Sequence, residues 1–352
     1  MKRIIPIIMM VFMVTACNTS GEKSKKSSDI QLAAAGATFP MPFYNLAFKK
    51  YSELHGTEIT YGGIGSGGGI RSLKDQVVDF GASDAFLSDP ELMEIDSEVI
   101  HIPTCLGAVV VAYNLPGVEN LNLTPVILEG IFMGTITKWN DSAIIEANEG
   151  IALPDMNITV VYRSDGSGTT YIFSDYMSKI SEKWASDLGA SKSINWPVGI
   201  GAKGNPGVAG TISQSEGTIG YIGSEYAFAQ KITFASLRNA AGNYVKPSLA
   251  SVSAAAKGDI PEDTRVMITN SEATDAYPIS GFTWILLYKE QSYNNRSAAQ
   301  ATATIDLLKW MLTTDAQAIA ESVHYASLPE DAKSKAMNLI KTVTFNGEII
   351  SK

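Results

Sequence analysis

Residues 158–172 read ITVVYRSDGSGTTYI, in which a β-rich run passes through a glycine-containing loop into a helical pattern. The run at 158–163 has the branched apolar residues of a strand. Apolar side chains then recur at spacings of three and four through residues 172–184, which predicts a helix. The loop between the two carries Ser167 beside the predicted helix start.

Two other places repeat this strand-loop-helix design. Residues 35–40, AGATFP, precede a helix that should begin near Pro42, because proline suits the first helical turn. A strand at 58–61 leads through GGIGSGGG at 62–69 into another helix. Further strands are predicted at 77–82, 99–102, 108–114, 217–222 and 282–288, and further helices at 301–312, 314–323 and 329–340. This alternation predicts an α/β fold with a mixed or parallel sheet.

Ser or Thr stands at or beside the start of each of these three helices. The first backbone N–H groups of a helix have no partner within it, and the helix dipole adds about half a positive charge there. Such termini bind anions without lysine or arginine, and glycine lets the main chain approach a ligand closely. Taken one at a time, however, each hydroxyl is better interpreted as an ordinary helix cap than as an anion contact.

The folded body should begin near Ile30 and run for roughly 320 residues, a length that favours two domains over a single core. The apolar runs at 102–114 and 277–288 are candidate crossings between domains, which would make one domain discontinuous. The formal net charge is −9 and no basic stripe is present, which argues against a nucleic-acid partner. An anion site in so acidic a chain would need neutral dipoles more than formal charges.

The N-terminus predicts export from the cytoplasm. Lys2 and Arg3 precede an apolar stretch at 4–14, which is too short to span a bilayer as a helix. The small residues before Cys17 (VTAC) resemble the end of a bacterial lipoprotein signal, in which the cysteine is acylated and becomes the new N-terminus. An ordinary secretory signal is the alternative. Residues 18–29 contain no apolar side chain and predict a flexible tether, and the loss of two positive charges would take the net charge from −9 to −11.

The pattern G-x-G-x-x-G at Gly63, Gly65 and Gly68, with Asp84 further on, also matches a dinucleotide-binding fingerprint. We disfavour that interpretation because nicotinamide cofactors are scarce outside the cytoplasm. The spacing also arises easily within a run of glycines. No cofactor is therefore predicted.

Hydrolase and metal interpretations have less support. Neither Ser66 nor Ser167 stands in a G-x-S-x-G elbow, and the three histidines occur in unrelated contexts. No cluster of His, Cys, Asp and Glu has the spacing of a metal site, so we expect neither a metal nor a catalytic residue. Cys105 lies in an apolar run, which predicts a buried structural thiol rather than a nucleophile.

Several short motifs together resemble a known family. They occur in this order and with matching spacing: GATFP at 36–40, GIGSGGG at 63–69, VDFGASD at 78–84, RSDGSGT at 163–169 and GAKGN at 201–205. The similarity continues through GTIGY at 217–221, YPI at 277–279 and YASLP at 325–329. Over essentially its whole mature length, the chain resembles the phosphate-binding proteins of bacterial phosphate-specific ABC transporters.

The resemblance implies a two-lobed periplasmic-binding-protein fold, with a ligand cleft between lobes that two crossover strands join. One lobe would comprise residues 30–106 and 281–352, and the other lobe residues 107–280. The implied function is capture of inorganic phosphate and its delivery to the permease subunits in the membrane, without catalysis. We expect a monomer that is lipid-anchored to the envelope membrane outside the cytoplasm.

By the same resemblance, the phosphate contacts come from both lobes. The contacts would be Thr38, Phe39 (through its backbone N–H), Ser66 and Asp84 from the first lobe, and Arg163, Ser167, Gly168 (backbone N–H) and Thr169 from the second. Asp165 would pair with Arg163 and hold it in place. The chain departs from some relatives at Gly67 and Tyr162, where a second serine and another arginine can occur. Neither departure replaces one of these contacts.

Asp84 is the unusual member of this set, because a carboxylate repels an anion. The repulsion is tolerable if the ligand brings a proton to share, and phosphate keeps at least one O–H group near neutral pH. Sulfate carries none, so Asp84 would discriminate against it. Without the resemblance, Asp84 would be interpreted as a turn residue. Receptors for sulfate, arsenate or molybdate are the alternatives, together with a secreted phosphatase that uses Ser66 or Ser167 as its nucleophile.

Replacing Cys17 with serine tests the lipoprotein interpretation. Cys17→Ser removes the sulfur that would carry the lipid, so the protein should stay unprocessed or appear in the soluble fraction. Cell fractionation and the mass of the mature N-terminus measure this, with Cys105→Ser as the control that leaves the predicted anchor intact. A Cys17→Ser variant that fractionates with membranes and matures as the wild type does would refute the interpretation.

Overall fold

The computed structural model describes residues 30–350, so the predicted signal with Cys17 and the predicted tether at 18–29 lie outside the described residues. The strands are β1 Gln31–Gly36, β2 Glu58–Gly63, β3 Phe80–Ser83, β4 Val99–Asn114, β5 Asn122–Leu123, β6 Thr159–Arg163, β7 Ile200–Ala202, β8 Thr218–Gly223, β9 Ser236–Arg238, β10 Tyr244–Val245, β11 Ser280–Tyr288, β12 Thr344–Phe345 and β13 Glu348–Ile349. The helices are α1 Met41–His55, α2 Ser66–Lys74, α3 Asp89–Met93, α4 Pro125–Phe132, α5 Ser142–Ala147, α6 Gly168–Ile180, α7 Glu182–Asp187, α8 Gly204–Gln214, α9 Ser224–Gln230, α10 Leu249–Ala255, α11 Ala298–Met311, α12 Thr314–Ser322 and α13 Glu330–Ile340.

A mixed sheet of eight strands runs through the molecule in the order β2-β1-β3-β11-β4-β8-β6-β7. Strand β1 pairs in parallel with β2 and β3, and β6 pairs in parallel with β7 and β8. The pairs β3–β11, β11–β4 and β4–β8 are antiparallel. Two smaller sheets, β10-β9-β5 and β12-β13, lie beside it. The prediction of an α/β architecture with a mixed sheet is confirmed.

Strand β4 connects the two halves of the large sheet. Residues 99–108 of β4 pair with β11, and residues 109–114 pair with β8. The two strands predicted at 99–102 and 108–114 are therefore one strand of 16 residues, and every residue of it except Asn114 is buried. Because this apolar strand is covered on both faces, its side chains belong to the same hydrophobic core as those of β1, β8 and β11.

A helix follows each of the three predicted loops, but α2 and α6 begin inside their glycine-containing loops, about four residues before the sequence patterns at 70 and 172 indicated. Helix α1 begins at Met41, with Pro42 in its first turn, and α2 begins at Ser66. Helix α6 begins at Gly168, directly after the cap residue Ser167. Each of the three helices follows a parallel strand of the large sheet, namely β1, β2 and β6. The fold therefore places three helix N-termini at strand ends.

Some predicted boundaries differ from the structure. The helical pattern at 172–184 is split into α6 and α7, because Ser181 has an extended backbone (φ −141°, ψ 114°) and its hydroxyl accepts the Trp184 N–H at 2.9 Å. Strand β3 begins only at Phe80, since Val77 lies on the surface. Strand β1 was not predicted because its alanine-rich sequence has low strand propensity, but pairing with two neighbouring strands compensates for this.

Cys105 is fully buried in β4, as the sequence predicted for a structural thiol. Burial raises the pKa of this thiol well above its ordinary value, which keeps it in the unreactive protonated form. Within residues 30–350, no helix combines the length and the apolar character that crossing a membrane requires.

Gly69 allows α2 to pack closely on the sheet, and Gly69→Ala tests this contact. A Cβ at Gly69 would lie 2.5 Å from the Cα of Gly36 and 2.7 Å from the carbonyl oxygen of Ala35, and both neighbours are backbone atoms that yield little. We expect Gly69→Ala to lower the free energy of unfolding by about 1–3 kcal/mol, measured by urea denaturation.

Gly210→Ala is the matched control. Gly210 lies within α8, and an added Cβ would meet no atom within 4 Å. Alanine has the higher helix propensity, so this variant should gain up to about 1 kcal/mol. A Gly69→Ala variant as stable as Gly210→Ala would contradict the close packing of α2.

Candidate anion-binding site

The N-termini of α1, α2 and α6 converge at the carboxyl ends of β1, β2 and β6. In open α/β sheets, this end of the strands is where ligands bind. All eight predicted contact residues lie in or beside these helix starts and all are buried: Thr38, Phe39, Ser66, Asp84, Arg163, Ser167, Gly168 and Thr169. The structure therefore brings together residues that are up to 131 positions apart in the chain.

Ser66 and Gly168 hold the starts of α2 and α6 against each other. The Gly168 N–H donates to Ser66 Oγ at 3.0 Å, and the Asp84 N–H donates to the same oxygen at 3.3 Å. Beside them, the Gly67 N–H donates to the Gly166 carbonyl oxygen at 2.9 Å. A Cβ on Gly168 would lie 2.5 Å from Ser66 Oγ, so only glycine allows this approach.

Asn205 joins Thr38 to Thr169, a role that sequence reasoning missed. Its Nδ2 donates to Thr38 Oγ1 at 3.1 Å and to Thr169 Oγ1 at 3.0 Å. Its backbone N–H also donates to Thr38 Oγ1 at 3.1 Å, and its Oδ1 accepts the Gly223 N–H at 2.9 Å. The sequence did contain a signal, because the motif GAKGN at 201–205 ends on this residue. Only the fold, however, shows which side chains it contacts.

The hydroxyl groups of this cluster have their acceptor positions occupied. A hydroxyl oxygen has two lone pairs and one hydrogen. Thr38 Oγ1 accepts both Asn205 N–H groups, and Thr169 Oγ1 accepts from Asn205 and from Arg163 Nη1, the latter at 3.3 Å. Ser66 Oγ accepts the two backbone N–H groups described above. Toward any further group, these hydroxyls can therefore act only as donors, and donors are what an anion requires.

Arg163 is the buried cation of the cluster. Its Nε and Nη2 donate to the two carboxylate oxygens of Asp165 at 2.8 and 2.6 Å, so the expected Arg163–Asp165 pair is present. With the bond to Thr169, three of the five guanidinium N–H groups are engaged and two are left for a ligand. Burial acts to raise the pKa of Asp165, but the hydrogen bonds and charge of Arg163 outweigh it and hold the pKa below its ordinary value.

Asp84 lies beside these donors and is almost fully buried. Burial raises the pKa of its carboxyl group to about 7, although a hydrogen bond from Thr283, the charge of Arg163 and the Ser66 hydroxyl each act to lower it. The Thr283 hydroxyl donates to Asp84 Oδ1 at 2.7 Å. Thr283 lies on β11, 199 residues further along the chain, and no sequence pattern indicated this contact. Near neutral pH, Asp84 can therefore exist with or without its proton.

Ser167 and Phe39 lie at the starts of α6 and α1. Ser167 Oγ accepts the Thr170 N–H at 3.0 Å, so this side chain is the N-cap of α6 and retains its O–H to donate. The Phe39 ring is buried edge-on against Tyr325, and the Tyr325 hydroxyl donates to the Phe39 carbonyl oxygen. The hydroxyl of Tyr226 holds the carbonyl oxygen of residue 38 in the same way. These contacts fix the main chain at the start of α1.

The histidines lie outside this cluster. His101 Nε2 accepts the Leu87 N–H at 3.0 Å, and burial lowers the pKa of His101 to about 3, so the ring is neutral. The rings of His55 and His324 pack on aromatic side chains. Within residues 30–350, no group of three or more His, Cys, Asp or Glu side chains could hold a metal ion. The cluster offers neutral donors and one cation, an arrangement suited to holding an anion.

The chain is similar to known proteins over most of its length. A family model described as a PBP superfamily domain matches residues 21–315. The chain is 39% identical over 333 residues to the phosphate-binding protein PstS of Xylella fastidiosa, which covers 93% of this chain and 88% of that protein. It is 37% identical over 318 residues to the phosphate-binding protein PstS of Pasteurella multocida, with coverage of 88% and 90%. The solved structure of the periplasmic phosphate-binding protein PfluDING with bound phosphate superposes with a TM-score of 0.72 at 23% identity, over 88% of this chain and 93% of that one, and so supports the fold.

Proposed function

Because the chain belongs to the PBP superfamily and, within it, to the PstS type of phosphate-binding protein, we propose that it captures inorganic phosphate outside the cytoplasm and passes it to an ABC transporter. The family and the periplasmic-binding-protein fold predicted from the sequence motifs are both confirmed. The curated relatives are named as binding proteins rather than enzymes. The role of each site residue remains a prediction, which the contacts support as follows.

The occupied acceptor positions of the hydroxyl groups are the observation that carries the proposal. Dehydrating a phosphate ion is costly unless each of its oxygens accepts hydrogen bonds. Thr38 and Thr169 have an O–H left to donate, and Arg163 has two N–H groups left. The Gly168 N–H, a predicted contact, already donates to Ser66 Oγ, but with the other N-terminal N–H groups of the three helices these donors suit a ligand that has only, or mainly, acceptors.

The two lobes predicted from the sequence, residues 30–106 with 281–352 and residues 107–280, remain a proposal. The pairing of β4 supports it, because β4 joins β11 at 99–108 and β8 at 109–114. On this division, the bonds from Gly168 to Ser66 and from Asn205 to Thr38 each cross from one lobe to the other. Donors from both lobes would surround phosphate only when the lobes are together, so binding would shift the population toward the closed form.

Asp84 would select phosphate over sulfate. A protonated phosphate oxygen can donate to the Asp84 carboxylate, whereas sulfate has no proton at neutral pH and would face a buried negative charge. Thr283 supports this role, because its hydrogen bond to Asp84 Oδ1 favours the ionised carboxylate. Burial opposes ionisation, so the selectivity should depend on pH near neutrality.

The N-terminal segment would place the protein at the membrane of the cell envelope. Lipid attachment at Cys17 would hold the protein at the membrane surface, and residues 18–29 would let the folded body reach the permease subunits. We propose that the protein acts there as a monomer. A receptor for arsenate, molybdate or sulfate is the alternative, and calorimetric titration of the purified protein against these anions and phosphate separates the possibilities.

Asp84→Asn tests the function and the selectivity together. The amide can donate to sulfate and carries no charge, so sulfate binding should appear or strengthen relative to phosphate. We expect the phosphate-to-sulfate affinity ratio to fall by at least about tenfold at pH 8, as measured by calorimetry with both anions. The exposed Asp315→Asn serves as the control and should leave the ratio unchanged.

The pH dependence of this ratio gives a second test of Asp84. Its pKa of about 7 means that the carboxylate charge is present above pH 7 and is lost as the pH falls through that value. Sulfate should therefore compete better at pH 6 than at pH 8 in the wild type, and this change should be smaller in Asp84→Asn. If the ratio keeps its wild-type value and pH profile in Asp84→Asn, then Asp84 does not select the ligand.

A further inference from the structure

Glu225 is a buried carboxyl group for which the proposed function has no use. It lies in the first turn of α9, and only 3% of its surface is exposed. Among residues 30–350, neither of its oxygens has a hydrogen-bond partner of normal geometry. An ionised carboxylate in such a place would be strongly unfavourable, so the group must be neutral in this conformation.

The surroundings of Glu225 keep it close to the ligand donors. A Cβ on Gly223 would lie 2.0 Å from Glu225 Oε1, so only glycine leaves room for the carboxyl group. The N–H of Gly223 donates to Asn205, which in turn contacts Thr38. On another side is Tyr325, whose hydroxyl donates to the Phe39 carbonyl oxygen instead of pairing fully with Glu225.

The titratable groups that interact electrostatically with Glu225 lie on several helices, strands and loops. They are Asp84 after β3, Cys105 on β4, Tyr226 on α9 and Tyr325 after α12. The positive charge of Arg163 acts to lower the pKa values of Asp84 and Tyr226. Arg163 itself donates a hydrogen bond to Asp165. Burial raises the pKa of Glu225 well above its ordinary value, and its own backbone N–H and the Tyr325 hydroxyl lower it only in part.

On the proposed lobe division, Glu225 belongs to residues 107–280, whereas Phe39, Asp84 and Tyr325 belong to the other lobe. The carboxyl group therefore lies at the boundary that would separate when the cleft opens. The Tyr226 hydroxyl, on the next residue, already crosses this boundary to the carbonyl oxygen of Thr38. Opening would bring water to Glu225, and a hydrated carboxyl group ionises at its ordinary pKa near 4.3.

We propose that Glu225 carries a proton in the closed form and releases it to solvent when the lobes separate, so that phosphate capture takes up a proton at this residue. The proposal rests on the proposed phosphate function. On closure, the carboxylate takes a proton from solvent and becomes a carboxylic acid, and opening reverses this step. Glu225 does not contact the ligand. Its protonation makes closure of the lobes depend on pH.

The direction of the effect follows from the two protonation states. Between the pKa of the open form and the higher pKa of the closed form, each pH unit should weaken phosphate binding by about tenfold through this group. Below the pKa of the open form, the carboxyl group is already protonated and the effect vanishes. Acidic surroundings would therefore favour capture, and more alkaline surroundings would favour release.

Glu225→Gln removes the titration and keeps the shape of the side chain. We expect the plot of log Kd for inorganic phosphate against pH, measured from about pH 5.5 to 8.5, to be flatter than in the wild type, by nearly one unit per pH unit wherever the pH lies below the pKa of the closed form. At pH 7.5 the variant should bind phosphate at least about tenfold more tightly. Calorimetry in buffers of different ionisation enthalpy should count about one proton fewer taken up per phosphate bound.

Comparison between variants isolates this effect, because the titrations of Asp84 and of phosphate itself are common to both proteins. The exposed Glu216→Gln is the matched control and should follow the wild type at every pH. Parallel profiles and equal proton uptake in wild type and Glu225→Gln would overturn the inference while leaving the phosphate function intact. A wild type that binds no phosphate would overturn both.

A second measurement avoids dependence on the folding of the variant. In the phosphate-bound wild type with ¹³C-labelled glutamate, one side-chain carboxyl resonance should have the chemical shift of a neutral acid at pH 7. That shift should be distinct from those of the exposed glutamates, which are ionised at this pH. Without phosphate, it should move toward the shift of a carboxylate. If every glutamate resonance shows an ionised group at pH 7 with phosphate bound, Glu225 is not protonated and the inference fails.

Discussion

Burying a multiply charged oxyanion in an acidic protein requires a hydrogen-bond donor for each ligand oxygen, and this requirement accounts for the architecture of the site. The net charge of −9 rules out a general positive field, so the donors must be local. Helix N-termini supply oriented N–H groups without formal charge. The buried cation of the site, Arg163, is paired with Asp165 and would serve more as a fixed fork of donors than as a free charge.

The fold satisfies this requirement by bringing distant strand ends together. Strand β4 passes through both halves of the large sheet, and β11 runs beside it, so the start of α6 can lie against the start of α2. Glycine at 168 permits that approach because no Cβ intervenes. Each hydroxyl is then oriented by N–H groups that fill its acceptor positions, which fixes where its remaining hydrogen can act.

Local features of this site could be predicted from the sequence, and long-range contacts could not. The starts of α1, α2 and α6 follow from proline, glycine and hydroxyl residues within a few positions, and the family resemblance implied the pair of Arg163 with Asp165. Thr283 and Asn205 were missed because their partners lie 199 and 167 residues away, and no local pattern encodes such contacts. Strand β1 was missed for a related reason. Its parallel pairing with β2 and β3 stabilises the strand although its alanine-rich sequence has low strand propensity.

In the proposed function, oriented dipoles in a closed cleft bind phosphate, rather than a field of positive charge. The affinity for phosphate should then depend little on ionic strength, because a buried, water-excluded contact is screened far less than surface charges. Calorimetric titration of phosphate between about 0.05 and 0.5 M sodium chloride measures this directly. We predict that Kd changes by less than about threefold across the range. A steady weakening by tenfold or more would contradict the account, since it would mean that exposed positive charge supplies the binding energy.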